Sequence, residues 1–313
     1  MTVEPDATLR EVGDGVFAYL QDRATWGYSN AGLVRGYGES ALVDTLFDLR
    51  LTRAMLDAMA PITAAGAITT VVNTHANGDH CYGNQLVTGA RVVTSSASAA
   101  EMDDVTPAAL HAFKQLDLGE DGNRYVADAF GPFRFDDIEP VRATDTFDGS
   151  VALDVGATRV ELEEVGPAHT RGDVIAWVPE ARVVFTGDIL FIGSTPIIWS
   201  GPVGNWLAAC RRINKLDALA VVPGHGPVTD ADGVQQVAGY LEWLRREVGK
   251  RRDAGMDAMD AAWDVELGEY AHWADAERIV INVDAVYAEL DARHRRLNVV
   301  DAFREMGRYR AGH

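Results

Sequence analysis

Four short segments constrain this chain more than anything else in it. Each follows an apolar run, and each sets His or Asp among small residues: Asn73-Thr74-His75-Ala76-Asn77-Gly78-Asp79-His80, Gly166-Pro167-Ala168-His169-Thr170-Arg171-Gly172-Asp173, Phe185-Thr186-Gly187-Asp188 and Pro223-Gly224-His225-Gly226. Taken singly, each is bland. A lone histidine is commonly a surface or hydrogen-bonded residue, and an Asp after Thr-Gly is commonly a turn or helix-capping residue. Recurrence at the ends of four strands is what turns them into one site. Imidazole and carboxylate are the donors that a borderline divalent cation such as zinc takes, and three or four complete a tetrahedral shell. The glycines beside them let the backbone come close to an ion or adopt positive φ.

Strand and helix patterns interleave around these loops. Gly15 to Leu20, Ala31 to Arg35 and Ser40 to Thr45 are short β-favouring runs, and Leu49 to Met59 has a helical period. Thr69 to Asn73 and Arg91 to Ser95 are apolar without alternation, as in strands buried on both faces. Ala97 to Leu118 reads as helical with a break at Pro107. Val151 to Val155 and Val160 to Leu162 alternate as a hairpin around Gly156-Ala157, Val174 to Val178 and Arg182 to Thr186 pair around Pro179-Glu180, and Ala220 to Val222 is a last strand. From Asp230 onward the pattern is helical, with Leu241, Leu244 and Val248, then Val283, Val286 and Leu290, at helical spacing. The economical architecture is an α/β, four-layer αββα sandwich over residues 1–230, with a helical C-terminal extension, 231–313, packed on it.

Charge narrows the partners. The 313 residues carry 47 acidic and 28 basic side chains, a formal net charge of −19. That balance argues against nucleic acid and against an anionic membrane surface, both of which recruit Lys and Arg. Two cysteines, Cys81 and Cys210, are too few for a disulfide framework. Residues 1–6 show neither a basic flank nor an apolar run of a signal peptide, and no stretch approaches the roughly 18 apolar residues of a membrane span. A cytoplasmic protein is the expectation.

The order and spacing of the four loops resemble the metallo-β-lactamase superfamily of metal-dependent hydrolases over roughly residues 10 to 230. The resemblance implies that His75 and His169 belong to one metal position, Asp79, His80 and His225 to a second, and that Asp188 bridges them. Where the family has its second histidine this chain has Asn77. An amide oxygen is a weaker zinc donor than imidazole, so the first position should hold its ion less tightly. Three outcomes stay open: Asn77 ligates through its oxygen, water takes its place, or only the second position fills. A side chain that merely holds the loop by Asx-type bonds is the structural alternative.

Bound zinc lowers the pKa of water towards about 7 and polarises a carbonyl, so acyl hydrolysis needs no amino-acid nucleophile. Asp79 or Asp188 would take the proton. Cys81 lacks an independent His partner and reads as a packing residue. Aromatic residues near the loops, Trp26, Tyr28, Phe191, Trp199 and Trp206, are candidates for a bulky or flat hydrophobic substrate. The run from Thr74 to Asn84 and the long helical tail are similar to the cyclase/thioesterases of actinomycete aromatic polyketide pathways. That likeness implies a zinc enzyme releasing a carrier-protein-tethered polyketide with aldol ring closure. A general lactonase, esterase or thioesterase on small soluble substrates is the rival, and a metal-free binding scaffold the reading from another class. In the tail, Arg245, Arg246 and Lys250 to Arg252 form a basic cluster that would steer an acidic carrier protein or simply face solvent, and the helices would cap the cleft, finish the core or form a homodimer surface.

Overall fold

The computed structural model describes residues 7–21 and 23–313, so the N-terminal segment searched for an export signal lies outside the described residues. Strands β1 (Ala7–Gly13), β2 (Val16–Gln21), β3 (Ala31–Arg35) and β4 (Glu39–Val43) run antiparallel. They are followed by β5 (Ala67–Val72), β6 (Arg91–Ser95) and β7 (Asp145–Phe147) in parallel, giving a seven-stranded sheet in sequence order. A second sheet takes β8 (Ser150–Val155), β9 (Thr158–Glu164), β10 (Val174–Val178), β11 (Val183–Phe185) and β12 (Ala220–Val222) in the order β12-β11-β10-β9-β8. The two-residue side-chain period decides which face each strand gives to its sister sheet. On β4, Ala41 and Val43 join β2's Val16 and Ala18 and β11's Phe185 in an apolar layer between the sheets. Leu42 between them points the other way, into the layer under the helices. Both faces are covered, which is why these strands read as unbroken apolar runs.

Helices close the outer faces. On α1 (Leu49–Thr63), Leu51, Met55 and Met59 recur every four residues and are buried, while Asp48 caps the first turn by accepting from Leu51 N–H. After it come α2 (Gly78–Cys81), α3 (Ser96–Glu101), α4 (Pro107–Phe113), α5 (Gly119–Phe130) and α6 (Val203–Asn214). From Ala231 the chain is helical as expected, through α7 (Ala231–Asp253), α8 (Ala258–Asp264), α9 (Ile279–Leu290) and α10 (Val299–Gly312). Val234, Val237, Leu241, Leu244 and Val248 make a buried stripe on α7. Residues 279 to 287 of α9 are buried without a polar face, as in a helix enclosed by others. The fold class is the expected one, and no helix among the described residues is long and apolar enough to cross a membrane.

Several local expectations fail for physical reasons. The Thr69–Asn73 run is not buried on both faces along its length: β5 starts at Ala67, and Ala67 and Thr69 are exposed. The region 97–118 does break at Pro107, where Thr106 caps a fresh helix, but the helix before it ends at Glu101 and the one after it at Phe113. Strand β1 is missed because it is the sheet's outermost strand and most of its residues are exposed, so it lacks a hydrophobic signature. Helices α5 and α6 are missed as well. Their stripes, Gly122, Tyr125, Val126, Ala129 and Phe130 on the first and Val203, Trp206, Leu207, Cys210 and Ile213 on the second, are helical in period but interrupted by glycines and charges.

The C-terminal helices dock through apolar contacts in which Met306 of α10 is fully buried against Tyr125 of α5. Truncating Met306 to Ala leaves a cavity, and urea unfolding should show a loss of about 3 kcal/mol.

Candidate metal centre

The ends of β5, β11 and β12 and the loop between β9 and β10 meet at one edge of the sandwich, and the six His and Asp side chains marked by the sequence converge there. Two clusters form, each with donor atoms within 4.8 Å of one another: His75, His169 and Asp188, and Asp79, His80 and His225. Asp188 links them. Its Oδ1 is 3.0 Å from His80 Nε2, and its Oδ2 is 3.3 Å from His169 Nε2 and 3.5 Å from His225 Nε2. Asp79 Oδ2 lies 3.3 Å from His225 Nε2. All four imidazoles are buried.

The opposite edges of the rings explain why Nε2 faces the centre. His80 Nδ1 donates to Asp44 Oδ2 at 2.9 Å, and His169 Nδ1 donates to Ile197 O at 2.7 Å. Thr74 Oγ1 donates to Asp44 and so accepts from His75 Nδ1, 3.1 Å away. Each of these bonds turns Nε2 inward, the arrangement that orients metal-ligating histidines. His225 differs: its Nδ1 finds no partner, and the ring is held by stacking on Phe191, 5.0 Å between centroids and 2° from parallel. Backbone approach is tight. A Cβ on Gly224 would lie 2.0 Å from Asp188 Oδ1, and one on Gly187, at φ +49°, would lie 2.5 Å from Thr74 Oγ1.

His75 Nε2, His80 Nε2 and Asp188 Oδ1 are buried with no hydrogen-bond partner. Buried polar atoms are rarely left so. Orphans of the donor types that bind zinc, at least one in each cluster, fit divalent cations. The carboxylates and imidazoles also act strongly on one another. Burial alone would push the Asp188 carboxyl up, but His225, His80 and His169 hold it well below the ordinary carboxylate range. Burial opposes charge on His80 too, yet Asp188, Asp79 and Asp44 raise its pKa well above the usual histidine value. On His75, burial and the neighbouring His80 drive the pKa well down.

Asn77 does not cap the short helix α2 that it precedes, so its side chain is not occupied in holding the loop. Its Nδ2 sits 2.9 Å from His169 Nε2. With Nδ1–H committed to Ile197, His169 accepts from the amide. Half a turn about χ2 would put the amide oxygen there instead.

Above the centre lies a cavity of about 250 Å³. Trp26, Phe191 and Trp199 line it, as the sequence suggested, together with Asp79, Asp188 and His225. Tyr28 and Trp206 do not, correcting the expectation for both. Tyr28 is buried against Phe133, and Trp206 belongs to the buried stripe of α6, its indole N–H donating to Ile189 O. Phe47, Phe130 and Phe303 complete the aromatic wall and were not singled out. Phe303 and Arg278 come from the C-terminal helical part, so that part closes the cleft as well as finishing the core. Cys81 is buried, its thiol pKa pushed far up by burial, and it donates to Ala76 O: a packing residue. The basic cluster is largely spent on ion pairs, with Arg246, Lys250 and Arg251 on Glu247 and Arg252 on Asp253.

Two positioning elements carried no recognised signal. Asp44, in the left-handed region at φ +63°, accepts from Thr74 N and Oγ1 as well as His80. It follows Ala41-Leu42-Val43, so the signal was the same as in the other loops: an acid at the end of an apolar strand. The second element is the strap 195–199. Asn282 accepts from Ile198 N and donates to Pro196 O. Arg296 donates to Trp199 O and Ile198 O, and Arg278 to Thr195 O. The strap's Ile197 O is the acceptor that orients His169.

Replacing Asp44 with Ala strands the Thr74 amide and His80 Nδ1 in a dry interior. Chemical denaturation should register a loss of about 3 kcal/mol, and more than the loss for Asp44→Asn.

Residues 24–225 match the family model described as the metallo-beta-lactamase superfamily. Over 235 residues the chain is 25% identical to "Acyl-coenzyme A thioesterase MBLAC2" of Bos taurus, covering 69% of this chain and 80% of that protein. A "Beta-lactamase-like protein 2 homolog" of Caenorhabditis elegans is 32% identical over 82 residues, only 26% of this chain and 27% of the relative's length. Among solved structures, the stereoselective inverting sec-alkylsulfatase Pisa1 from Pseudomonas sp. shares the fold at a TM-score of 0.65 and 16% identity, over 90% of this chain and 50% of that one. With its own family model matched across 24–225, and with the strand-end loops of that region meeting at one centre, the chain belongs to the metallo-beta-lactamase superfamily.

Proposed function

We propose that this protein is a metal-dependent hydrolase of acyl thioesters whose acyl group is aromatic or otherwise bulky and apolar. The observation that carries the reading is the juxtaposition of two His/Asp clusters with an aromatic cavity directly above them. The relatedness to an acyl-coenzyme A thioesterase supports the thioester class over other acyl bonds. At about 250 Å³ the cavity is smaller than most drug-sized pockets, roughly 300–1,000 Å³, so it suits the acyl part and leaves the thiol carrier outside.

His75, His169, Asp188 and, with its amide turned, Asn77 would hold one cation, and Asp79, His80, His225 and Asp188 the other, zinc being the expected metal. Bound there, the cation supplies Lewis acidity and lowers the pKa of water. The protein's own groups do the rest. Trp26, Phe191, Trp199 and Phe303 bind the acyl group and exclude water. Asp79, whose side chain is 14% exposed while Asp188's is 3%, is the carboxylate open to the cavity and takes up the proton lost by the attacking water. The aromatic wall also accommodates the narrower reading, a carrier-tethered aromatic polyketide that is cyclised as it is released. That reading requires ring closure in addition to cleavage.

Zinc-loaded protein should cleave the N-acetylcysteamine thioester of phenylacetic acid, lose that activity to a chelator and regain it with zinc. Asp79→Asn should lower kcat by about 10²-fold or more. No cleavage by fully loaded protein would overturn the hydrolase reading. Chelator titration followed by elemental analysis should release the ions in two steps, the weaker at His75/His169. Asn77→His should tighten that step about tenfold or more, since imidazole outranks an amide oxygen as a zinc donor. One step, untouched by the substitution, would refute the assignment of Asn77.

A further inference from the structure

Helix α10 gives the cavity two residues one turn apart. Val299, half exposed, and Phe303, 3% exposed, both line it, and a spacing of four puts them on one face of the helix. The Phe303 ring stands among three other rings of the cavity wall. Its centroid is 5.3 Å from that of Trp26, 5.4 Å from that of Phe130 and 6.5 Å from that of Trp199, the last pair stacked at 21°. It also meets two rings that do not line the cavity, Phe113 at 5.1 Å and Tyr125 at 5.7 Å. Among the described residues it is the one lining ring that touches both. Its helix is fixed in place: Asn298 caps the first turn by accepting from Asp301 N–H, and Tyr125 of α5 donates its hydroxyl to Met306 Sδ.

We propose that Phe303 sets the upper size of the acyl group this cavity accepts, admitting a single aromatic ring and refusing a fused pair. The proposal deepens the thioesterase reading and rests on it for the identity of the acyl cavity. Phe303 is the partition between the cavity and the packed rings of Phe113 and Tyr125, so the space its side chain fills is continuous with the space the ligand uses. The cavity's volume of about 250 Å³ must also hold the scissile carbonyl and the attacking water. A close-packed wall refuses a larger group by overlap, and these rings cannot retreat, since each already rests on the next. Core packing explains why an apolar residue stands at 303. Its place in the wall makes the same ring a limit on the ligand. Selectivity for acyl size is therefore held by the C-terminal helical part, whereas the sandwich holds the ligand-type His and Asp residues.

The test is binding without turnover. Two non-cleavable N-acetylcysteamine thioethers serve as probes, one with a phenylethyl arm and one with a naphthylethyl arm, each titrated by calorimetry into the zinc-loaded full chain. The wild-type chain should bind the phenyl probe more tightly. Phe303→Ala should move the naphthyl-to-phenyl affinity ratio by about tenfold or more towards naphthyl, the scale on which apolar pockets discriminate by size. Phe303→Leu should move it the same way by less. Met306→Ala loosens α10 against α5 but takes nothing from the cavity wall, so it should leave the ratio where it is. A wild-type chain that binds naphthyl as tightly as phenyl, a ratio unmoved in Phe303→Ala, or an equal shift in Met306→Ala overturns the proposal. Should Phe303→Ala fail to show a cooperative melt, Phe303→Leu decides, and an unmoved ratio there overturns it. Since nothing is cleaved, a shifted ratio alongside absent thioesterase activity would sink the hydrolase reading alone. Thioester cleavage alongside an unmoved ratio would sink the size limit alone.

Discussion

Six ionisable side chains buried at one edge of a β-sandwich are the constraint around which the structure is arranged. Two carboxylates within about 3.5 Å of several imidazoles would be costly if any member were left to face hydrocarbon unpaired. The fold meets that cost with geometry. Every member lies in a segment that leaves the end of a strand, Asp79 and His80 on the short helix α2 between β5 and β6, and glycines at 187 and 224 allow the backbone to close to contact distance.

A second layer of bonds decides which face of each ring is presented. Asp44 serves two rings at once, His80 directly and His75 through Thr74, and it is itself pinned by the Thr74 amide. His169 depends on a backbone carbonyl, and His225 on the flat face of a phenyl ring. The four imidazoles are therefore not equivalent. Three have their tautomer set by an acceptor, whereas the fourth is placed by shape.

Much of this is legible in the sequence because its signal is local: a polar donor directly after an apolar strand. His75, Asp79, His80, His169, Asp188 and His225 all announce themselves that way, and the two-cluster grouping follows the resemblance they carry. Asp44 has the same signature but stands without a neighbouring histidine in its own loop, and the sequence marks it only as part of the β-favouring run Ser40 to Thr45. The aromatic residues divide differently. Trp26, Phe191 and Trp199 reach the cavity, while Tyr28 and Trp206 sink into the core. Proximity to a motif cannot tell wall from core, and for Trp206 the helical period of its neighbours would have been the better guide. Arg278 and Phe303 had no signal at all. They lie in an alanine- and arginine-rich helical stretch, and only tertiary packing brings them to the cleft.

The strap from Thr195 to Trp199 has an imidazole on one side and the C-terminal helices on the other, joined to each by short hydrogen bonds. Its carbonyls are thus shared between two parts of the chain about a hundred residues apart, and neither can shift without the other feeling the strain. A chimaera that kept the sandwich and exchanged the tail would inherit all the ligand-type residues and still misaim one of them, since His169's orientation is written partly in Asn282 and Arg296.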